Sequence, residues 1–302
     1  MNGIYADTRS IVVGDFNNDN QIELLGFKFS KKYMDYVWDS DIRAAKKNDI
    51  NYWKNGLKLS RDPSWYSSFS LYHLNGNGGK SMSWNVDLRV SHGCVHPSQV
   101  IPSYLNADNF LDFVIVCHGY DAKPFPGEHS LIMLSYGSDN YEVERLTNQV
   151  GFYHDGATAD FNADGALDIL LVDANAKKIR VYLNDGNGKF SLSNKFFSQF
   201  ASWKAYTTEI LDVNDDGHFD IFIAGHEDDK YGSQETIILL GNKSNKFSND
   251  RKIVVPNVPG YGVVLDVIRQ GDNLFVLRTS SKPHFYRGSM IQQVTLDGMK
   301  TV

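Results

Sequence analysis

Apolar residues in this chain come in short runs bounded by glycine, asparagine and aspartate. Ser10-Ile11-Val12-Val13 is followed, after a polar stretch, by Ile22-Glu23-Leu24-Leu25-Gly26-Phe27. Ile169-Leu170-Leu171-Val172 and Ile221-Phe222-Ile223 follow polar stretches of the same kind. The runs are β-branched or aromatic and too short to be helices, so they predict strands, with the polar stretches as hairpin connections.

Those connections share one pattern. Asp160-Phe161-Asn162-Ala163-Asp164-Gly165-Ala166-Leu167-Asp168 places side-chain oxygens at positions 1, 3, 5 and 9 and a glycine at position 6. The spacing returns at Asp212, Asn214, Asp216, Gly217 and Asp220, and at Asp15, Asn17, Asp19 and Glu23, where Asn20 replaces the glycine. Alternate residues of a tight loop turn their oxygens toward one point, and hard cations take six to eight oxygens. Main-chain carbonyls at Gln21, Ala166 and His218 complete the candidate sets at position 7, and the glycine supplies the positive φ of such a turn. The expected cofactor is Ca2+, two to four ions. An EF-hand would need a bidentate Glu at position 12 between two helices. Position 12 is Gly26, Leu171 and Ile223, and the flanks read as strands, so an EF-hand is excluded.

The pattern is an internal repeat. Aligned on position 1, the units begin at Asp15, Tyr104, Asp160, Asp212 and Asp266, at intervals of 89, 56, 52 and 54 residues. The long first interval holds an insertion at about residues 31–65, too long for a bare loop. A second landmark follows each loop: Leu183-Asn184-Asp185-Gly186-Asn187-Gly188-Lys189-Phe190, with counterparts at Leu74–Lys80, Leu134–Tyr141 and Leu240–Phe247, reads as a hairpin turn. Each unit is therefore strand, acidic loop, strand, variable loop, strand, Asn/Gly turn, strand. The prediction is an all-β chain, residues 1–302 forming a single β-propeller of four-stranded antiparallel blades. Five blades are detected, or seven if two have diverged or lie outside this chain.

The Asp-x-Asn-x-Asp-Gly-x-x-Asp loops followed by Leu-Asn-Asp-Gly-Asn-Gly-Lys-Phe resemble the FG-GAP/VCBS repeats, the blades of integrin alpha-type propellers and of many bacterial surface and secreted proteins. The resemblance implies a calcium-stabilised propeller and no particular function. The second loop departs from it, since Tyr104 stands at position 1 with only Asn106, Asp108 and Asp112 remaining. The fifth keeps Asp266 and gains Arg269. No metal is expected in the fifth, and a weak or empty site in the second.

Composition narrows the partners. The 302 residues are 42% apolar and 22% charged with a net charge of −6, which excludes disorder and gives no basic footprint for nucleic acid. No apolar run is long enough to span a membrane. Met1–Asp7 shows neither a basic nor an apolar leader segment. Two cysteines, Cys94 and Cys117, lie beside His92, His96 and His118. The alternatives are free thiols, a disulfide in an oxidising compartment, or a zinc site.

If the acidic loops join the first two strands at one end of each blade, the segments leading into the first strand and leaving the second emerge at the other end. Those segments carry His96, His154, Trp203 and Lys204, then Trp38 in the insertion, then His118, Tyr120 and Asp121. These are the candidate ligand-binding residues, since loops on a rigid scaffold concentrate function. The first reading of Trp38 and Trp53 is the insertion's own small core, with stacking on a sugar or a protein partner as the other. The expected function is a calcium-stabilised, non-catalytic recognition module for glycan or protein, with no catalytic residue assigned. The alternative is a carbohydrate-active enzyme similar to polysaccharide lyases, using His118, Tyr120, His154, Lys204 or Arg9. Millimolar extracellular calcium would saturate such loops, so the expected location is extracytoplasmic.

Overall fold

The computed structural model describes residues 11–38, 65–74, 83–86, 93–120, 125–137, 140–197, 200, 204–227, 234–281 and 286–296. They form five antiparallel sheets, a five-bladed β-propeller. The first sheet is β1 (Ile11–Gly14), β2 (Ile22–Lys28), β3 (Ser68–Leu74) and β4 (Ser83–Val86). The second is β5 (Pro97–Ser103), β6 (Asp112–Cys117), β7 (Leu131–Ser135) and β8 (Tyr141–Arg145). The third is β9 (Tyr153–Ala159), β10 (Asp168–Asp173), β11 (Lys178–Asn184) and β12 (Phe190–Ser193). The fourth is β13 (Ala205–Leu211), β14 (Asp220–Gly225), β15 (Ile237–Leu239) and β16 (Lys252–Val254). The fifth has three strands among the described residues, β17 (Val263–Gln270), β18 (Asn273–Thr279) and β19 (Ser289–Thr295). Every sheet is a simple meander in chain order.

Burial explains the apolar runs. All six residues of β6, of β10 and of β14 are buried, so these second strands are covered on both faces and read as unbroken hydrophobic stretches. In β2 and β18 burial is partial on one face, and Ile22 of β2, Ile268 of β17 and Ile291 of β19 are exposed. Asp112, Asp168 and Asp220, at position 9 of their loops, are themselves the first residues of β6, β10 and β14.

The chain divides into two compact units, residues 1–153 with 184–191, and residues 154–183 with 192–302. The first unit has a core of Val12, Leu25, Phe27, Phe69, Phe113, Ile115 and their neighbours between the first two sheets. In the second unit, one core joins the third and fourth sheets around Phe161, Leu170, Ile221 and Phe247. Another joins the fourth and fifth around Phe222, Ile238, Leu274 and Val276.

One local expectation changes, and the insertion adds an element: it opens with the helix α1 (Lys31–Trp38). Ser30 opens it, its Oγ accepting the Tyr33 N–H at 3.1 Å. The fifth unit has no acidic loop. Its strands run on to a tight turn at Gly271, and Asp266 lies within β17.

Candidate functional site

Three acidic loops adopt one geometry. In the first, Asp15 Oδ1 and Asn17 Oδ1 both accept the Asp19 N–H, Asp15 Oδ2 accepts the Asn20 N–H, and Asp19 Oδ1 accepts the Gln21 N–H. The same bonds recur with Asp160, Asn162, Asp164, Gly165 and Ala166, and with Asp212, Asn214, Asp216, Gly217 and His218. Two side-chain oxygens that accept one N–H must lie close together, so positions 1 and 3 converge, and the Asn amide ties position 5 to them. Residues at position 6 take positive φ in all three, 65° at Asn20, 91° at Gly165 and 76° at Gly217. Asparagine tolerates this region better than other non-glycine residues, which accounts for the substitution.

Position 9 behaves differently. Glu23, Asp112, Asp168 and Asp220 are fully buried. Each accepts the N–H of position 2, from Phe16, Leu105, Phe161 and Val213 respectively, at 2.8 Å. The second oxygen of Asp112 takes the Ser135 N–H and that of Asp220 the Gly241 N–H, both at 2.8 Å, pinning the loop to the end of the third strand. Burial pushes the Asp112 and Asp220 carboxyls up to about 6 despite these bonds. The second loop keeps the fold with Tyr104 exposed at position 1, because the Asp112 bond and the Asn106 and Asp108 turns survive. Neighbouring groups brace these loops: Asn245 Nδ2 donates to the Asp160 carbonyl, and Arg269 to the Asp212 carbonyl and the Asp215 carboxylate.

At the opposite ends of the blades, the ligand candidates separate into two groups. In the first unit His96, His118 and Tyr120 gather around Tyr33 of α1. The Tyr33 hydroxyl bonds His96 Nδ1, the His96 and His118 rings lie 3.7 Å apart, and Phe29 and Phe152 pack edgewise or tilted against them. Tyr33 and Tyr120 are 0% exposed and His118 is 4% exposed, in a cluster with Trp65 and Val95. These three are core, and His96 is half-buried at its edge. Beneath it Cys94 and Cys117 form a disulfide, with Cα atoms 5.8 Å apart, which removes the thiolates that a zinc site would need. Glu128 caps that crosslink, its carboxylate accepting N–H bonds from Val95 and His96, and burial pushes its carboxyl up to about 7.

In the second unit His154 and Lys204 meet around Tyr206. The Tyr206 ring stacks on His226 at 4.2 Å and 11°, His154 approaches edgewise at 4.5 Å, and Lys204 Nζ lies 5.4 Å above the ring. All four side chains are half-buried. A register shift between Ala205 and Thr207 puts Tyr206 in a β-bulge, a device that re-aims a side chain. Trp38 ends α1 with its side chain outside the described residues, where Asp121, Trp203 and Arg9 also lie. Tyr33, Tyr206 and His226 were absent from the sequence-derived set. The repeat itself held the signal for two of them: Tyr206 stands six residues before its loop, as His154 does, and His226 fourteen after position 1, as His118 does.

Residues 160–223 match the family model for the FG-GAP-like repeat. That span runs from the third acidic loop through the fourth. The chain is thus a five-bladed β-propeller whose residues 160–223 carry an FG-GAP-like repeat, which suggests a recognition or adhesion-type module. No curated protein matches the sequence. Among solved structures, the crystal structure of BBS1N in complex with ARL6DN aligns over 96% of this chain and 68% of that chain, at 11% identity and a TM-score of 0.44. Among the described residues, no helix is long and apolar enough to cross a membrane.

Proposed function

We propose that this propeller is a calcium-stabilised, non-catalytic recognition module that binds a glycan or protein ligand at the blade ends away from its acidic loops. One observation supports it most: three loops converge the oxygens of positions 1 and 3 and tie position 5 to them in the same geometry, on the exposed side of a buried position-9 anchor. Asp15, Asn17 and Asp19, Asp160, Asn162 and Asp164, and Asp212, Asn214 and Asp216 would hold the ions, with the carbonyls of Gln21, Ala166 and His218 and the position-9 carboxylates Glu23, Asp168 and Asp220. A bound cation would neutralise each acidic cluster and stiffen the exposed side of a hairpin end whose position-2 residue, Phe16, Phe161 or Val213, is already held in the core. The Cys94–Cys117 disulfide supports an extracytoplasmic, oxidising location, since cytosolic thiols stay reduced.

Calorimetric titration of the whole chain with CaCl2, together with melting in calcium and in EDTA, tests the metal. Saturation at a hundred times Kd should stabilise the fold by about 2.7 kcal/mol for each linked site. Identical melting curves in millimolar calcium and in EDTA would reject it. A glycan array with the calcium-loaded chain tests the ligand, and an ultraviolet assay for unsaturated products run beside it would expose lyase chemistry instead.

A further inference from the structure

The outer turn of blade four, between β15 and β16, carries a triplet that the rest of the repeat lacks. Asn242-Lys243-Ser244 is the only Asn-x-Ser/Thr sequence in the chain, and no proline stands at its middle or directly after it. Lys243 and Ser244 are exposed, and Asn242 is half-buried. The fold uses only one end of the Asn242 amide. Its Oδ1 accepts the Ser244 N–H at 2.9 Å and the Lys246 N–H at 3.3 Å. Its Nδ2 donates to nothing among the described residues, and the Ser244 hydroxyl is likewise unengaged among them.

Blade three shows what this turn requires. Asp185 stands at the matching position, and its Oδ1 accepts the Asn187 and Lys189 N–H groups at 2.8 and 3.3 Å. A single acceptor oxygen therefore makes the turn, whether from a carboxylate or an amide, and the Asn242 nitrogen is surplus to it. The other asparagines of the two turns spend theirs. Asn184, Asn187 and Asn245 each donate Nδ2 to a main-chain carbonyl, of Leu105, Asp185 and Asp160 respectively.

We propose that Asn242 is a site of N-linked glycosylation. The triplet is the acceptor such transfer requires, and it sits in a surface turn with its reacting nitrogen unengaged. The donor is an oligosaccharide carried on a lipid diphosphate. Its bond from sugar C1 to the diphosphate oxygen breaks, and the diphosphate leaves with the electron pair. Asn242 Nδ2 forms the new bond to C1, and one amide proton passes to a base of the transferase. The inference rests on the oxidising, extracytoplasmic location read above from the disulfide. Asn245, in the same turn, is bonded to the third acidic loop, so the glycan stands at the acidic-loop end and leaves the other blade ends to a ligand.

The test is the whole chain, secreted behind a leader from a eukaryotic host that performs N-linked glycosylation, with its mass read before and after peptide-N-glycosidase F. One glycan should be present, and its release should convert Asn242 to aspartate. Asn242→Asp keeps the acceptor oxygen that Asp185 uses, so it should abolish the glycan with an unchanged melting temperature. Ser244→Ala should abolish it with the amide still in place, and Ser244→Thr should keep it. A secreted parent chain that forms the Cys94–Cys117 bond but carries no glycan would overturn the site and leave the location standing. A glycan that survives Asn242→Asp would overturn it equally. Free thiols at Cys94 and Cys117 in the secreted chain would overturn the location reading, and the site with it.

Discussion

Blades two and four put side chains at the same three places of the repeat and reach opposite outcomes. Eight residues before the loop stand His96 and Lys204; six before, Ser98 and Tyr206; fourteen after position 1, His118 and His226. In blade two, His118 is buried and His96 is half-buried against Tyr33 and Phe29, and Ser98 is consumed by the carbonyls of Val116 and Tyr153. In blade four the same positions hold an open stack of rings beside an ammonium. The difference comes from the insertion. Its helix α1 brings Tyr33 over the blade-two histidines and leaves His118 only 4% exposed, so that ring serves as packing. Equivalence within a repeat therefore fixes where a side chain emerges, and the neighbouring loop decides whether solvent reaches it.

The largest expected effect comes from removing the ring that does the sealing. Tyr33→Ala deletes a fully buried aromatic and its bond to His96, and should cost about 3–5 kcal/mol in urea unfolding. Tyr206→Ala removes a half-buried ring from the open stack and should cost under about 1 kcal/mol. Equal losses would mean that the two clusters play the same structural part, and the contrast between the blades would fail.

Much of this architecture was legible in the chain itself. The Asp15, Asp160 and Asp212 loops, the Asn184 and Asn242 turns and the strand order all appear where their spacing placed them, because each is a local device of few residues. Asn184 Oδ1, for example, accepts the Gly186 and Gly188 N–H groups within its own turn. What stayed hidden depends on distant partners. Nothing in the sequence around His96 says that Tyr33, 63 residues earlier, will cover it. Cys94 and Cys117 could not be paired by spacing alone, since thiols that close only in the folded sheet leave no local mark. The fifth loop was misaligned for the opposite reason: Asp266 sits at the right interval, but Arg269 serves the neighbouring loop and the strands continue to Gly271.

A smaller effect should follow from cutting the crosslink beneath the sealed cluster. Cys94→Ala with Cys117→Ala opens a bridge between residues 23 apart, and should destabilise the chain by about 2–4 kcal/mol. An unchanged melting curve after reduction with dithiothreitol would show that the crosslink adds nothing to the stability of the blade-two end.

The gentlest test of the blade-two end uses pH, because it carries a buried carboxyl whose titration is shifted. Below blade two, Glu128 is pushed up to about 7 by burial, against an ordinary value of 4.5. Between those values the folded chain holds a proton that the unfolded chain has released, so unfolding releases a proton and stability falls as pH rises. The contribution is fully present below pH 4.5, is lost as pH rises to about 7, and is flat above that, with a slope of at most about 1.4 kcal/mol per pH unit. Asp112 and Asp220, raised to about 6, act in the same direction, so the useful measurement is the difference between two profiles. Glu128→Gln should melt with a shallower dependence between pH 4.5 and 7 than the parent chain. Parallel melting profiles would show that the Val95 and His96 N–H groups hold Glu128 ionised throughout, the bonds to the carboxylate having outweighed its desolvation.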